Sequence, residues 1–162
     1  MKVNSDYRDL LQSLNEVHVR YLVVGGYAWM AHTEPRYTKD LDIWVDPVES
    51  NARLLLDALQ RFGAPTKAVT IADFTEQEVF YQIGVEPVRI DIMTSVAGLT
   101  FSEAWERRVT VDFEGVQAQS YPGQTSRQPK PHPIVSETEE IYPRLGAGGA
   151  EAPHFASLYR SY

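Results

Sequence analysis

The sequence of 162 residues contains no cysteine, so neither a disulfide framework nor a thiolate metal site can form. It also lacks a run of about 18 apolar residues, so no transmembrane helix is expected. The N-terminal stretch 1–9 has no apolar core of the kind that signal peptides need. We therefore expect a cytoplasmic protein without a membrane partner, long enough for one domain with a hydrophobic core.

Positive charge is scarce in this chain. There are 15 Lys and Arg residues against 22 Asp and Glu residues, which gives a formal net charge of −7. The most basic stretch that we find is the pair Arg107-Arg108. Overall electrostatics therefore disfavours broad contact with a nucleic-acid backbone, although the end of a tRNA would need only a small contact.

Hydrophobic periodicity predicts regular elements in the first two thirds of the chain. The expected helices cover 7–17 with Asn4 or Ser5 as N-cap, 27–32, 50–62 followed by Gly63, and 102–107 with Ser102 as N-cap. The expected strands cover 19–24, 41–45, 78–83, 88–93 and, as the last one, 109–113. The turn at 84–87 predicts a hairpin between the third and fourth of these strands.

The composition changes after residue 114. Residues 115–162 hold six of the ten prolines and five of the ten glycines, and their apolar residues follow no sustained period. We therefore predict one folded domain over residues 1–114 and an irregular or divergent tail over 115–162.

Asp40 and Asp42 lie two positions apart in a predicted strand. Side chains alternate between the two faces of a strand, so both carboxylates should project from one face while Leu41 and Ile43 enter the core. Like charges held close together are costly unless a cation offsets them, and carboxylate oxygens suit Mg²⁺. The alternative is a solvated strand end without a ligand.

Asp91 lies in another apolar strand, on the face opposite to Ile90 and Ile92. If this strand ran beside the first, Asp91 would add a third carboxylate to a two-metal site or act as a general base. The alternative is an exposed aspartate that pairs with Arg89, which shares its face.

Gly25-Gly26 follow a predicted buried strand, and their backbone amides can approach a phosphate closely. Neither a dinucleotide-binding glycine fingerprint nor a P-loop is present, and an ordinary tight turn is the alternative. Arg36, Thr38 and Lys39 precede the acidic strand, where they could neutralise a triphosphate tail or simply belong to a solvated loop.

These segments together resemble the minimal nucleotidyltransferase superfamily, which is related to DNA polymerase β, over roughly residues 5–113. The similarity is closest to the branch of AbiEii-type toxin nucleotidyltransferases. It rests on Gly25-Gly26-Tyr-Ala, on Arg36-x-Thr38-x-Asp40-Leu-Asp42-Ile-x-Val, and on Asp91 in an apolar strand.

The resemblance implies an α/β palm, in which helices pack on one side of a small mixed sheet. It implies that Gly25 and Gly26 hold the phosphates of a nucleoside triphosphate. Asp40, Asp42 and Asp91 would form the catalytic acids and bind Mg²⁺ or Mn²⁺. Arg36 and, with it, Thr38 or Lys39 would contact the phosphate tail.

The implied activity is transfer of a nucleoside monophosphate to an acceptor hydroxyl on a tRNA end, a protein or a small molecule. A toxin of this branch would also have a cognate antitoxin as partner. Relatives continue past the last strand into another strand and a lysine-bearing helix, which residues 117–126 do not match. The alternative is therefore a truncated, inactive relative that binds a nucleotide or a partner protein.

Overall fold

A computed structural model describes residues 4–26, 40–84 and 88–123 with their side chains, and the backbone of residues 156–160. The helices are α1 (Ser5–Glu16), α2 (Glu49–Phe62) and α3 (Phe101–Glu106). The strands are β1 (Tyr21–Val24), β2 (Asp40–Val45), β3 (Val79–Ile83), β4 (Arg89–Met93), β5 (Val109–Phe113), β6 (Val116–Ser120) and β7 (Ala156–Arg160).

The strands form one mixed sheet in the order β5-β6-β1-β2-β4-β3-β7. The pairs β6–β1 and β2–β4 are parallel, and the other four pairs are antiparallel. The predicted hairpin of β3 and β4 is confirmed by their antiparallel register. The chain therefore has the mixed α/β sheet that the resemblance implied, with β1, β2 and β4 near its centre.

The sheet has two different faces. On the first, which we call the helix face, Leu41, Ile43, Ile90 and Ile92 pack in one buried cluster with the apolar sides of α1 and α2. On the second, which we call the site face, Trp44 and Met93 pack with residues of α3. The prediction that helices pack on one side therefore holds for α1 and α2, whereas the short α3 lies on the opposite side.

The ends of the helices follow from specific side chains. The Asn4 side chain accepts a hydrogen bond from the Asp6 amide at 2.8 Å, as expected for an N-cap. Gly63 ends α2 with a φ of 87°, in the left-handed region that glycine enters at little cost. The prediction of Ser102 as N-cap of α3 is wrong, because Thr100 and Glu103 form a reciprocal capping box there.

Asn51 of α2 holds the start of β1 against the end of β2. Its side-chain oxygen accepts from the Arg20 amide at 2.8 Å, and its NH₂ group donates to the Arg20 and Asp46 carbonyls at 3.0 Å each. This side chain is only 3% exposed, so its hydrogen bonds satisfy groups that would be costly to bury unpaired. The contact fixes how β1 and β2 lie relative to each other.

The prediction that 109–113 forms the last strand is wrong. β6 lies within the segment predicted as an irregular tail, yet it pairs with β5 along its whole length and with β1 through Val23 and Ser120. β7 pairs with β3 at the other edge of the sheet. The sheet thus crosses the predicted boundary at residue 114, because β6 covers the otherwise open edge of β1.

Other predictions fall outside the described residues. They include the helix over 27–32, the hairpin turn at 85–87 and the irregular conformation of 124–155. Within the described residues, no helix is long and apolar enough to cross a membrane.

Leu55 and Leu54 offer a matched test of the helix face. Leu55 is fully buried, whereas its neighbour Leu54 is 38% exposed. Leu55→Ala should lower the free energy of unfolding by about 2–5 kcal/mol because it leaves a cavity in the core. Leu54→Ala should change it by about 0.5 kcal/mol or less. Urea denaturation of both variants measures the difference, and equal losses would contradict the packing of α2.

Candidate functional site

The chain leaves β1 at Gly25 in a conformation that favours glycine. Its φ is 70°, and a Cβ built there would collide with Oδ2 of Asp42 and lie 3.3 Å from its Cγ. Both the backbone conformation and the close approach of the carboxylate therefore require the absence of a side chain. The glycine turn and the acidic strand of the sequence are thus in direct contact.

Strand register brings the predicted acids together. Asp42 lies opposite Val24 of β1 on one side and opposite Asp91 of β4 on the other. Asp40, two positions earlier, lies opposite Arg89. Residues directly opposite in neighbouring strands share a face, so all three carboxylates and Arg89 lie on the site face of the sheet.

The three carboxylates are buried despite their formal charge. Asp40, Asp42 and Asp91 are 8%, 5% and 2% exposed, respectively. Among the described residues, these three carboxylates and the guanidinium of Arg89 leave an excess of two formal negative charges. Because charge is costly to bury, the cluster needs cationic partners.

Arg89 supplies one such partner. Its Nη2 donates to Oδ2 of Asp40, and its Nε lies 3.3 Å from Oδ1 of Asp91. The second contact is close enough for an ion pair, but Nε has no well-aligned hydrogen-bond acceptor among the described residues. The alternative interpretation of Asp91 is therefore half right: Asp91 pairs with Arg89, but it is buried and not exposed.

The backbone of Arg89 is also anchored. Its amide donates to the hydroxyl of Tyr7 at 3.2 Å, and Tyr7 is a buried residue of α1. The start of β4 is thereby fastened to the helix that covers the opposite face. The sequence pattern placed Tyr7 on the apolar side of a helix. It did not indicate that the Tyr7 hydroxyl accepts a hydrogen bond from the Arg89 amide.

The chemistry of these donors fits a divalent cation, because Mg²⁺ and Mn²⁺ prefer carboxylate oxygens. The Gly25 backbone against Asp42 leaves room that any other residue would fill. In their present arrangement, however, no three His, Asp or Glu side chains of the described residues are grouped closely enough to hold a metal ion. Binding would therefore require the carboxylates to reorient and Arg89 to shift.

Gln82 is a neighbour of the site that sequence reasoning missed. It lies opposite Asp91 in the antiparallel pair of β3 and β4, and it is partly exposed. Residues directly opposite in antiparallel strands share a face, so Gln82 extends the polar row of Asp42 and Asp91. The hairpin pattern could have identified this residue if its register had been counted.

Several predicted site residues cannot be placed. Arg36, Thr38 and Lys39 lie outside the described residues, and Gly26 is the last residue before that gap. Their proposed contacts with a phosphate tail stay predictions.

A comparison with protein families gives no match, and a comparison with curated proteins gives none either. Among solved structures, the chain is similar to a Thermotoga maritima protein with a provisional assignment as a nucleotidyltransferase. The two sequences are 15% identical, the similarity covers 71% of this chain and 74% of the other, and the TM-score is 0.49. No residue role in this chain follows from that similarity.

Gly25→Ala should destabilise the protein more than Gly115→Ala. Gly115 has a φ of 89° with nothing near a Cβ, so its replacement should cost only the backbone penalty of about 1–2 kcal/mol. Gly25→Ala adds the collision with Asp42. Chemical denaturation measures both losses.

Repeating the Gly25→Ala substitution in an Asp42→Ala protein isolates the effect of the overlap between the new Cβ and the Asp42 carboxylate. In an Asp42→Ala protein, Gly25→Ala should cost about as much as Gly115→Ala, because the remaining Cβ of Asp42 is 3.5 Å away. An undiminished cost in that background would contradict the contact between the glycine turn and the acidic strand.

Proposed function

We propose that this protein is a Mg²⁺- or Mn²⁺-dependent nucleotidyltransferase that moves a nucleoside monophosphate from a nucleoside triphosphate to an acceptor hydroxyl. One observation carries the proposal. The glycine turn after β1 touches Asp42, and Asp42 lies beside Asp91 on the same face of the sheet. A bare backbone next to paired acids is the arrangement that a metal-bound triphosphate requires.

In this proposal, the amides of Gly25 and Gly26 bind phosphate oxygens. Glycine at position 25 keeps the backbone accessible beside Asp42, since any side chain there would overlap the carboxylate. Arg36, Thr38 and Lys39 would bind the rest of the phosphate tail and neutralise charge that the metal ions leave.

Asp40 and Asp42 would hold the metal ions, with Asp91 as the third ligand. Bound Mg²⁺ would supply charge neutralisation for the attacking and the leaving oxygen. The protein itself would supply position, because the backbones that carry the three acids belong to two hydrogen-bonded strands and not to loops.

Asp91 is the residue that we assign to proton transfer. It accepts the proton of the acceptor hydroxyl while the hydroxyl oxygen forms a bond to the α-phosphorus. The bond from that phosphorus to the bridging oxygen breaks in line, and pyrophosphate leaves with the electron pair. The acceptor can be a tRNA end, a protein hydroxyl or a small molecule, and a role as a toxin with an antitoxin partner is part of the same proposal.

A second candidate function is favoured by Arg89. Its ion pairs with Asp40 and Asp91 place a permanent cation where a metal ion would otherwise be needed. A relative in which Arg89 had taken over charge neutralisation could fold and bind a nucleotide or a partner protein without catalysis. Nucleotide binding that persists with EDTA, without turnover, would support this candidate.

Asp42→Asn is the sharpest test of the metal assignment. The substitution preserves the shape of the side chain, keeps the ion pairs of Arg89 with its neighbours, and relieves like-charge repulsion, so the fold should persist. Nucleotidyl transfer should fall by about 10²-fold or more. Isothermal titration of each nucleoside triphosphate, with Mg²⁺ and then with EDTA, measures binding beside the activity assay.

Asp57→Asn provides the matched control. Asp57 is an exposed residue of α2 that pairs with Arg61, so its replacement makes the same change in net charge away from the site. It should leave metal-dependent binding unchanged. Activity or metal-dependent binding that survives in Asp42→Asn would show that the metal assignment is wrong.

A further inference from the structure

We propose that Arg89 competes with the metal ion for its site: its guanidinium pairs with Asp40 and Asp91, and a divalent ion must displace it to bind. The inference rests on the proposed function, because it concerns the same carboxylates. It assigns to Arg89 a role that neither the sequence pattern nor the resemblance implies.

The backbone determines where Arg89 can reach. Arg89 and Asp91 are two positions apart in β4, so they share the site face, and Asp40 lies directly opposite Arg89 in β2. One side chain therefore has a carboxylate beside it along its own strand and another across the strand pair. Its observed contacts are with these same two carboxylates.

Burial favours a cation beside these carboxylates even before a metal ion binds. Asp40, Asp42 and Asp91 are nearly inaccessible to water, so solvent screens their mutual repulsion poorly. A guanidinium with two carboxylate contacts lowers that repulsion and orients both side chains.

The same geometry makes the guanidinium displaceable. Its Nε–H is buried and has no aligned acceptor among the described residues, so the contact with Asp91 satisfies charge but not hydrogen bonding. The side chain is still 16% exposed, which leaves it a path toward solvent. A divalent ion carries twice the charge and can bind oxygens of more than one carboxylate at once.

The experiment is a titration of the purified full chain with Mn²⁺ alone, followed by the electron paramagnetic resonance signal of free Mn²⁺. Arg89→Gln removes the competing charge and should bind Mn²⁺ about tenfold or more tightly than the wild-type protein. Arg89→Lys keeps a cation and should stay near the wild-type affinity. The melting temperature without metal should fall in Arg89→Gln, and the rise on adding Mn²⁺ should be larger than in the wild type.

Arg20→Gln is the matched control. Arg20 pairs with Asp46 at the other end of β2, with 2.8 Å between Nη1 and Oδ2, and it lies 4.9 Å from the centre of the Trp105 ring. This variant also loses an ion pair to β2, so its stability should decrease. Its Mn²⁺ affinity should not change, which separates a general loss of stability from competition at the site.

The outcomes are distinguishable. Equal Mn²⁺ affinity in Arg89→Gln and the wild type, or weaker affinity in Arg89→Gln, would overturn the role of Arg89 while leaving the metal site intact. No Mn²⁺ binding by either folded protein would overturn the metal site and the proposed function together.

A second measurement covers the case in which Arg89→Gln does not fold. The Nε–H resonance of Arg89 in the wild-type protein, assigned with Arg89→Lys, should shift saturably as Mg²⁺ is added. A resonance that does not move while Mg²⁺ binds would overturn the displacement.

Discussion

Repulsion among carboxylates on one face of β2 and β4 is the constraint on which the site depends. The parallel register of these strands places Asp42 beside Asp91 and Asp40 beside Arg89, so the four residues stay neighbours as long as the strands remain paired. Because these side chains are buried, water screens the repulsion between their carboxylates only weakly. A cation therefore stabilises this part of the sheet, and Arg89 provides one through its ion pairs with Asp40 and Asp91.

The rest of the architecture keeps this arrangement rigid. α1 and α2 fill the helix face, so the strands that bear the acids cannot tilt without disturbing a close-packed core. On the site face, Trp44 lies two residues beyond Asp42 and packs edge-on against Phe101 of α3 at 5.3 Å between ring centroids. The same face is thus polar near the glycine turn and apolar farther along β2.

The sequence was most informative where one local period determined the result. The alternation in β2 placed Asp40 and Asp42 on one face, and the helical spacing over 50–62 predicted α2 within one residue of its bounds. Caps depended on competition between adjacent residues: Thr100 has a partner at Glu103 that Ser102 lacks, and only the structure shows which hydroxyl is used.

Long-range pairing was the main source of error. β6 is short and rich in glutamine, so its residues 116–120 give little hydrophobic signal, and its place in the sheet depends on β1 and β5. The contacts of Arg89 also depend on the register between two strands about 50 positions apart, which no local pattern specifies. From the sequence, Asp91 was a candidate site residue and Arg89 a possible ion-pair partner of it. The sequence did not indicate that Arg89 also contacts Asp40.

The parallel pairing of β1 with β6 also bears on how the molecule forms. The Ser120 hydroxyl donates to the Val23 carbonyl across 97 positions of sequence, and the Arg89 amide reaches Tyr7 across 82. Contacts between residues so far apart in sequence form only after long loops have closed, which costs conformational entropy. Folding is therefore slow. The acidic cluster should therefore assemble late, together with the long-range strand pairs of the central sheet and not from local segments.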